Sequence, residues 1–286
     1  MSERVSVGID IGGTGIKAGL VDLDTGSIVG SRRRTATPHP ATPEALADAV
    51  KKLLKRTKLI EHDVFGAGFP AVVKHGVATT ASNIDESWLG ENVSKVLSDA
   101  TGKQIPVLND ADAAGIAEVR FGVGRGVPGV IAMVTLGTGI GTALLVEGTL
   151  VPNTELGHFK IRGKDADELA AGRVREEQDL SWEKWARQVQ EYLEALDRLI
   201  WPDLIIIGGG VSAEPEKFLP YIRVRPVVVA ATLGNDAGII GAALYGAESH
   251  ERPTRVRGPY ALATEPAPHQ TPPVEPTPKR PRRRAS

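Results

Sequence analysis

Two glycine-threonine turns carry the first chemical signal in this chain: Asp10-Ile11-Gly12-Gly13-Thr14-Gly15 and Leu136-Gly137-Thr138-Gly139-Ile140-Gly141. The first follows the apolar run Val5-Ser6-Val7-Gly8-Ile9, the second follows Val130-Ile131-Ala132-Met133-Val134, and each leads into another apolar run. Glycine permits positive φ and lets backbone approach a ligand closely, while threonine adds a hydroxyl. A strand, a Gly-Thr-Gly turn and a second strand can therefore aim a row of N–H groups at phosphate oxygens. One such turn is equally what a plain hairpin connection looks like. Two in one chain, roughly a domain's length apart, point to a duplicated fold holding a phosphate chain between its halves.

The elements around the turns follow from local pattern. The first half reads as strands over Val5–Asp10 and Ile16–Val21, a turn at Asp24-Thr25-Gly26, a short strand near Ile28-Val29 and then polar loop. A helix is predicted from Pro43 to about Arg56, with Thr42 as N-cap and Pro43 at its first position. A strand over Phe65–Phe69, a helix over Gly90–Ala100 and a short buried strand at Ile105–Leu108 lead to Asn109-Asp110. The second half repeats the opening with strands over Val130–Leu136 and Gly141–Val146. A helix over Ser181–Ile200 places Trp182, Trp185, Ala186, Val189, Tyr192, Leu193, Leu196 and Leu199 at helical spacing, which makes its tryptophans core residues. A buried strand, Leu204–Ile207, runs into Gly208-Gly209-Gly210, and a helix over Ala237–Ala247 closes the folded part.

Composition bounds the class. The 286 residues are 41% hydrophobic and 24% charged, enough for two domains with real cores. No stretch reaches the ~20 apolar residues a membrane helix needs. The start runs directly into a strand, so no signal peptide is expected and a cytoplasmic location is. The absence of cysteine excludes disulfides and cysteine-ligated zinc. A net charge of −1 conceals an asymmetry. From Arg252 onward eight basic and two acidic residues give +6, leaving −7 for the other 251 residues. This proline-rich end lacks the apolar content to order itself, so 249–286 is expected to be a disordered basic tail. It has either no specific role or an affinity for polyanions, without specific nucleic-acid binding.

Asp10-Ile-Gly-Gly-Thr-Gly-Ile-Lys17, Asn109-Asp110-Ala111-Asp112-Ala113 and Glu155-Leu156-Gly157-His158, in that order and spacing, resemble the ROK family (repressor, open reading frame, kinase) over about residues 5–248. The family belongs to the actin-like ATPase superfamily. The resemblance implies an α/β fold of ribonuclease H-like type, duplicated into two domains around a cleft. On this reading the domains span 1–110 and 111–248, with the last helix, 237–248, packing on the first. Most ROK kinases follow the Glu-x-Gly-His segment with a zinc site of that histidine and three cysteines; here Phe159 to Leu169 offers none. That departure, with Ile200 to Ser212, resembles the polyphosphate glucokinase branch, whose members phosphorylate glucose from inorganic polyphosphate and often from ATP.

The resemblance assigns roles that the residue types support, each with a plainer reading beside it. Asp110 is the candidate general base for a sugar hydroxyl, since phosphoryl transfer needs the nucleophile aligned and its proton accepted; it is equally a favoured N-cap for the helix near Ala111, as is Asp112. Asn83, Asn109, Glu155 and His158 would join Asp110 in binding the sugar, whose ring of hydroxyls asks for amides and carboxylates in fixed directions. A lone histidine is otherwise commonly structural. Gly12, Gly13, Thr14, Gly15, Lys17, Gly137, Thr138 and Gly139 would hold the donor phosphates. Asp10 would help hold Mg²⁺ through water, or else cap the turn. Gly208, Gly209 and Gly210 would approach adenosine, or simply turn the chain from strand to helix. Lys17, Arg120, Arg125, Lys160, Arg162 and Lys164 are basic residues able to follow a polyphosphate chain, or ordinary surface charges.

The expected activity is a glucokinase transferring a phosphoryl group from polyphosphate, ATP or both to the 6-hydroxyl of glucose. A homodimer is implied by the family and no membrane association is expected. Two other readings stay open: an ATP-only kinase for mannose, fructose or an N-acetylhexosamine, and a sugar-sensing regulator. The regulators carry an N-terminal helix-turn-helix domain, for which a first strand at about Val5 leaves no room.

Overall fold

The computed structural model describes residues 4–81 and 84–251, so Asn83 and the basic tail lie outside the described residues. The first half builds strands β1 (Val5–Ile11), β2 (Gly15–Asp22) and β3 (Ile28–Ala36), helix α1 (Pro43–Arg56) and strand β4 (Phe65–Phe69). A small hairpin of β5 (Val73–Lys74) and β6 (Val77–Ala78) follows, then α2 (Val93–Thr101), β7 (Val107–Asn109) and α3 (Asp110–Arg120). The second half contains β8 (Val130–Leu136), β9 (Ile140–Val146), β10 (Thr149–Val151), the hairpin β11 (Lys160–Ile161) and β12 (Lys164–Asp165), and helices α4 (Ala166–Ala170), α5 (Gly172–Glu177) and α6 (Trp182–Ile200). It ends with β13 (Leu204–Gly208), β14 (Val227–Ala230) and α7 (Ala237–Glu251).

The duplication is visible in the strand orders, β3-β2-β1-β4-β7 in one sheet and β10-β9-β8-β13-β14 in the other. In each, three antiparallel strands joined by hairpins are followed by two parallel strands that need crossovers. Both glycine-threonine turns are the first hairpin of their sheet, so the two sit at equivalent corners.

Helices α3 and α7 pack against each other and against both sheets. Their core joins Val21, Ala114, Ala117, Met133, Ala143, Ile206, Ile239 and Ala243. The outer face of the first sheet is covered by Leu46, Val50, Leu53, Leu54, Trp88 and Leu97. On the second sheet, Trp185, Val189, Tyr192, Leu193 and Leu196 do the same. α7 is buried nearly all round, as a helix sandwiched between layers must be. Its close seat on the first sheet needs Gly8 and Gly66, because a methyl group on either would overlap the carbonyl oxygens of Ile239 and Ala242.

Local signals located most elements. Thr42 accepts from Ala45 N and Pro43 opens α1, and Ser181 caps α6 by accepting from Lys184 N. Trp185 is fully buried, and Trp182 stacks on Phe218. Three expectations need correction. β3 runs to Ala36 rather than stopping at Val29: an edge strand needs only its ladder to β2, so Ser31-Arg32-Arg33-Arg34 stays polar and exposed. α2 begins at Val93, since Asn92 supplies the cap through Lys95 N. Leu199, one step past the helix's buried stripe, is 59% exposed.

Candidate active site

Asp110 is the first residue of α3, set between the two halves. On one side Gly68 of β4 faces its Cα. On the other, its neighbour Ala111 packs against Gly141, just past the second turn. The helix cap is Asn109, whose Oδ1 accepts from Ala111 N at 2.8 Å and Asp112 N at 3.0 Å, while its Nδ2 donates to Ala71 O at 3.1 Å. Of the two readings offered for Asp110, the capping one therefore passes to its neighbour. Capping takes up the Asn109 oxygen and leaves one amide N–H for any other partner.

Burial pushes the Asp110 carboxyl up to about 7; the Asp10 carboxylate and, more weakly, Glu155 add to it against the pull of the Ala111 N–H. Asp10, on the first turn's side, and Glu155, on the second half, thus both act on Asp110. Asp10 is the penultimate residue of β1, with Lys17 Nζ on its Oδ2 at 2.9 Å. Its carboxylate lies over Gly238 at the start of α7, where a side-chain carbon would stand 2.8 Å from Asp10 Cγ.

Each turn is closed from within. Gly12 N donates to Gly15 O and Gly137 N to Gly139 O, both at 3.0 Å, so these two amides are not free to meet phosphate. The amides of Gly13, Thr14, Thr138 and Gly139 have no turn or loop partner among the described residues. Thr37 Oγ1 fastens the first turn by donating to Gly12 O at 2.6 Å. At the second turn, Arg173 donates to Thr138 O, and Asp167 accepts from Ile140 N at 2.6 Å and from Arg173 at 2.8 Å.

The Glu155–His158 segment is pinned from three directions. Thr142 Oγ1 donates to Thr154 O and accepts from Leu156 N at 3.0 Å, clasping the backbone on both sides of Glu155. Gly157 rests on Ile140 O, where any side chain would overlap it. Asn153, at φ +59°, donates its N–H to Asp112 Oδ2 at 2.8 Å, and its side-chain amide pairs with both Val73 N and Val73 O. His158 Nε2 lies 3.7 Å from Glu155 Oε2, beyond hydrogen-bond distance, with both side chains partly exposed. Desolvation raises the Glu155 carboxyl while His158 pulls it down.

Not every basic candidate is near this centre. Arg120 closes the opposite end of the 11-residue α3, about 15 Å from Asp110. Lys160 and Arg162 are held by Asp165 and Glu191. Gly209, at φ +79°, packs on the Leu136 backbone next to the second turn, while Gly210 faces open space. Two recesses, about 540 and 620 Å³, contain none of the predicted site residues, so the site rests on convergence of side chains. Sequence reasoning passed over Thr142, Asn153 and Asp167, none of which left a local trace.

The duplicated sheets, paired turns and intervening carboxylate define an actin-like phosphotransferase fold. The ROK family model matches residues 6–173, and the chain belongs to the ROK family. It is 47% identical to a polyphosphate glucokinase of Mycobacterium tuberculosis over 244 residues, covering 85% of this chain and 91% of the relative. The crystal structure of an inorganic polyphosphate/ATP-glucomannokinase from Arthrobacter sp. strain KM superposes with a TM-score of 0.83 at 44% identity, covering 86% of this chain and 99% of that one. A ROK family glucokinase from Streptomyces griseus, solved with glucose and AMPPNP, gives 0.72 at 27% identity, covering 85% and 99%. No helix among the described residues is long and apolar enough to cross a membrane.

Proposed function

We infer that this chain is a polyphosphate-dependent glucokinase that also accepts ATP. The observation that carries the reading is Asp110, which opens α3 against Gly68 of β4 while its neighbour Ala111 packs on Gly141 past the second turn, in a chain 47% identical to polyphosphate glucokinases. In its ionised form Asp110 takes the proton of the glucose 6-hydroxyl as that oxygen bonds to the terminal phosphorus and the phosphorus–oxygen bond to the shortened chain breaks. Glu155, His158 and the free Asn109 N–H orient the sugar, with Asn83 added by resemblance. The free amides and hydroxyls of both turns, with Lys17, hold the donor, and Gly208 to Gly210 border adenosine when ATP is used.

Asp10 suits Mg²⁺: one oxygen engages Lys17, leaving the other for an ion that keeps several waters and takes one or two carboxylates. When bound, that ion neutralises charge developing on the donor phosphates. Closure of the 1–110 and 111–248 halves would exclude water as a competing acceptor. The edge strand β14, with Val227 62% exposed, and Trp201 just past the end of α6, 66% exposed, support a homodimer, which light scattering tests.

The test of the reading supplies purified protein with glucose, Mg²⁺ and each donor separately. Glucose 6-phosphate forming from polyphosphate is expected; none from polyphosphate overturns the donor assignment.

A further inference from the structure

Strand β3 carries Arg32, Arg33 and Arg34, and the sheet sorts them. Alternation sends Arg32 and Arg34 to one face and Arg33 to the other. The ladder pairs Asp10 with Lys17 and Lys17 with Arg34, so three charged side chains stand in one rung across β1, β2 and β3. Their face is the one covered by α7, since Gly8, two residues before Asp10, lies against Ile239 and Asp10 itself lies against Gly238.

The charges in this row are unevenly matched. Lys17 is neutralised by Asp10 at 2.9 Å and Arg32 by Asp236 at 2.5 Å. Arg34 has no carboxylate partner among the described residues. Its guanidinium instead folds over the base of the turn: a side-chain carbon on Gly15 would stand 2.8 Å from Arg34 Nε and 3.1 Å from Nη2. A side chain at Gly15 would have to push this guanidinium aside, so glycine lets it rest on the turn. The backbone beneath it is fixed by the β2 ladder and by Arg56 Nη2, which donates to Arg34 O at 3.3 Å.

We propose that Arg34 is a donor-binding residue, its guanidinium taking phosphate oxygens of the bound chain beside the Gly12–Gly15 turn. Guanidinium stays charged at all working pH values and presents paired N–H groups in a fork that matches phosphate oxygens. The free amides of Gly13 and Thr14 hold a phosphate from the turn itself. Arg34 adds a full charge that those amides lack, with no carboxylate to share it, whereas Lys17 divides its charge between the donor and Asp10. This assignment rests on the kinase reading and names a residue of its donor site that the ROK motifs do not include.

The experiment compares wild type with Arg34→Ala and Arg34→Lys, neither of which disturbs a core because the side chain is exposed. Loss of a charge-assisted contact is expected to raise the KM for polyphosphate by about ten- to a hundredfold in Arg34→Ala, with the glucose KM within about twofold. Arg34→Lys should recover part of the loss, keeping charge without the fork. Binding of tripolyphosphate, measured by calorimetry without turnover, should weaken in parallel. An unchanged polyphosphate KM and tripolyphosphate affinity would overturn the proposal, as would a glucose KM that rises equally, which marks a structural role for the turn. A wild type that makes no glucose 6-phosphate from polyphosphate overturns the donor assignment instead, and the calorimetry still decides whether Arg34 binds phosphate.

Discussion

Replacing Asp112 by asparagine should change how stability depends on pH, and the change can be worked from the structure. Asp112 is 1% exposed; its Oδ2 accepts from Asn153 N at 2.8 Å and its Oδ1 has no partner. Burial pushes this carboxyl from 3.8 up to about 7, the Asn153 N–H opposing and Glu155 reinforcing the shift. The folded chain therefore holds the proton more tightly than the unfolded chain does. Below 3.8 both states are protonated and the group costs nothing; between 3.8 and about 7 stability declines; above that the cost is complete. The gap between those two values corresponds to about 4 kcal/mol. An asparagine at this position cannot ionise, so the stability of Asp112→Asn relative to wild type should climb by up to that amount across the window, about 10 °C in melting temperature. The new amide leaves an N–H unpartnered where Oδ1 stood, a constant cost of about 1–3 kcal/mol that shifts the difference without changing its slope. Thermal denaturation of both proteins in matched buffers from about pH 4 to 8 reads the slope directly. A difference that stays flat with pH would refute the reasoning.

The pH–rate profile should show an acid limb near 7, where Asp110 protonates, with kcat falling about tenfold per unit below it; a limb near 4 would mean an ordinary carboxylate. Gly157→Ala should displace the Glu155–His158 segment from Ile140, costing about 1–3 kcal/mol of stability and raising the KM for glucose more than that for polyphosphate. Thr142→Val removes both clasps beside Glu155 and should raise the glucose KM, with Thr142→Ser restoring it; equal kinetics for Val and Ser would remove the positioning role.

Much of this architecture was legible because its determinants are local. Thr42-Pro43 and Ser181 act within one turn of helix, and each glycine-threonine turn joins strands adjacent in sequence. The extent of β3 was hidden because an edge strand's main-chain bonds go to a strand whose identity its own side chains do not encode. The roles of Asn109 and Asp110 were ambiguous for a different reason: both are good capping residues, and only the direction of the chain leaving β7 decides between them. Contacts that hold the sugar side, Asp112 to Asn153 and Asn153 to Val73, span 41 and 80 residues, so no spacing rule reaches them. Amides such as those of Gly12 and Gly137 look identical in sequence to free ones until the turn closes on itself.

Asp110→Asn tests the central assignment most directly, with glucose affinity measured by calorimetry and turnover measured on the same preparation. Loss of the base should lower kcat by about 10²- to 10⁴-fold while glucose still binds, because on the proposed reading Asn109, Glu155 and His158 would supply the remaining sugar contacts. A variant that keeps most of its rate, or one that loses glucose binding together with its rate, would contradict the assignment of Asp110 as the group that takes the hydroxyl proton.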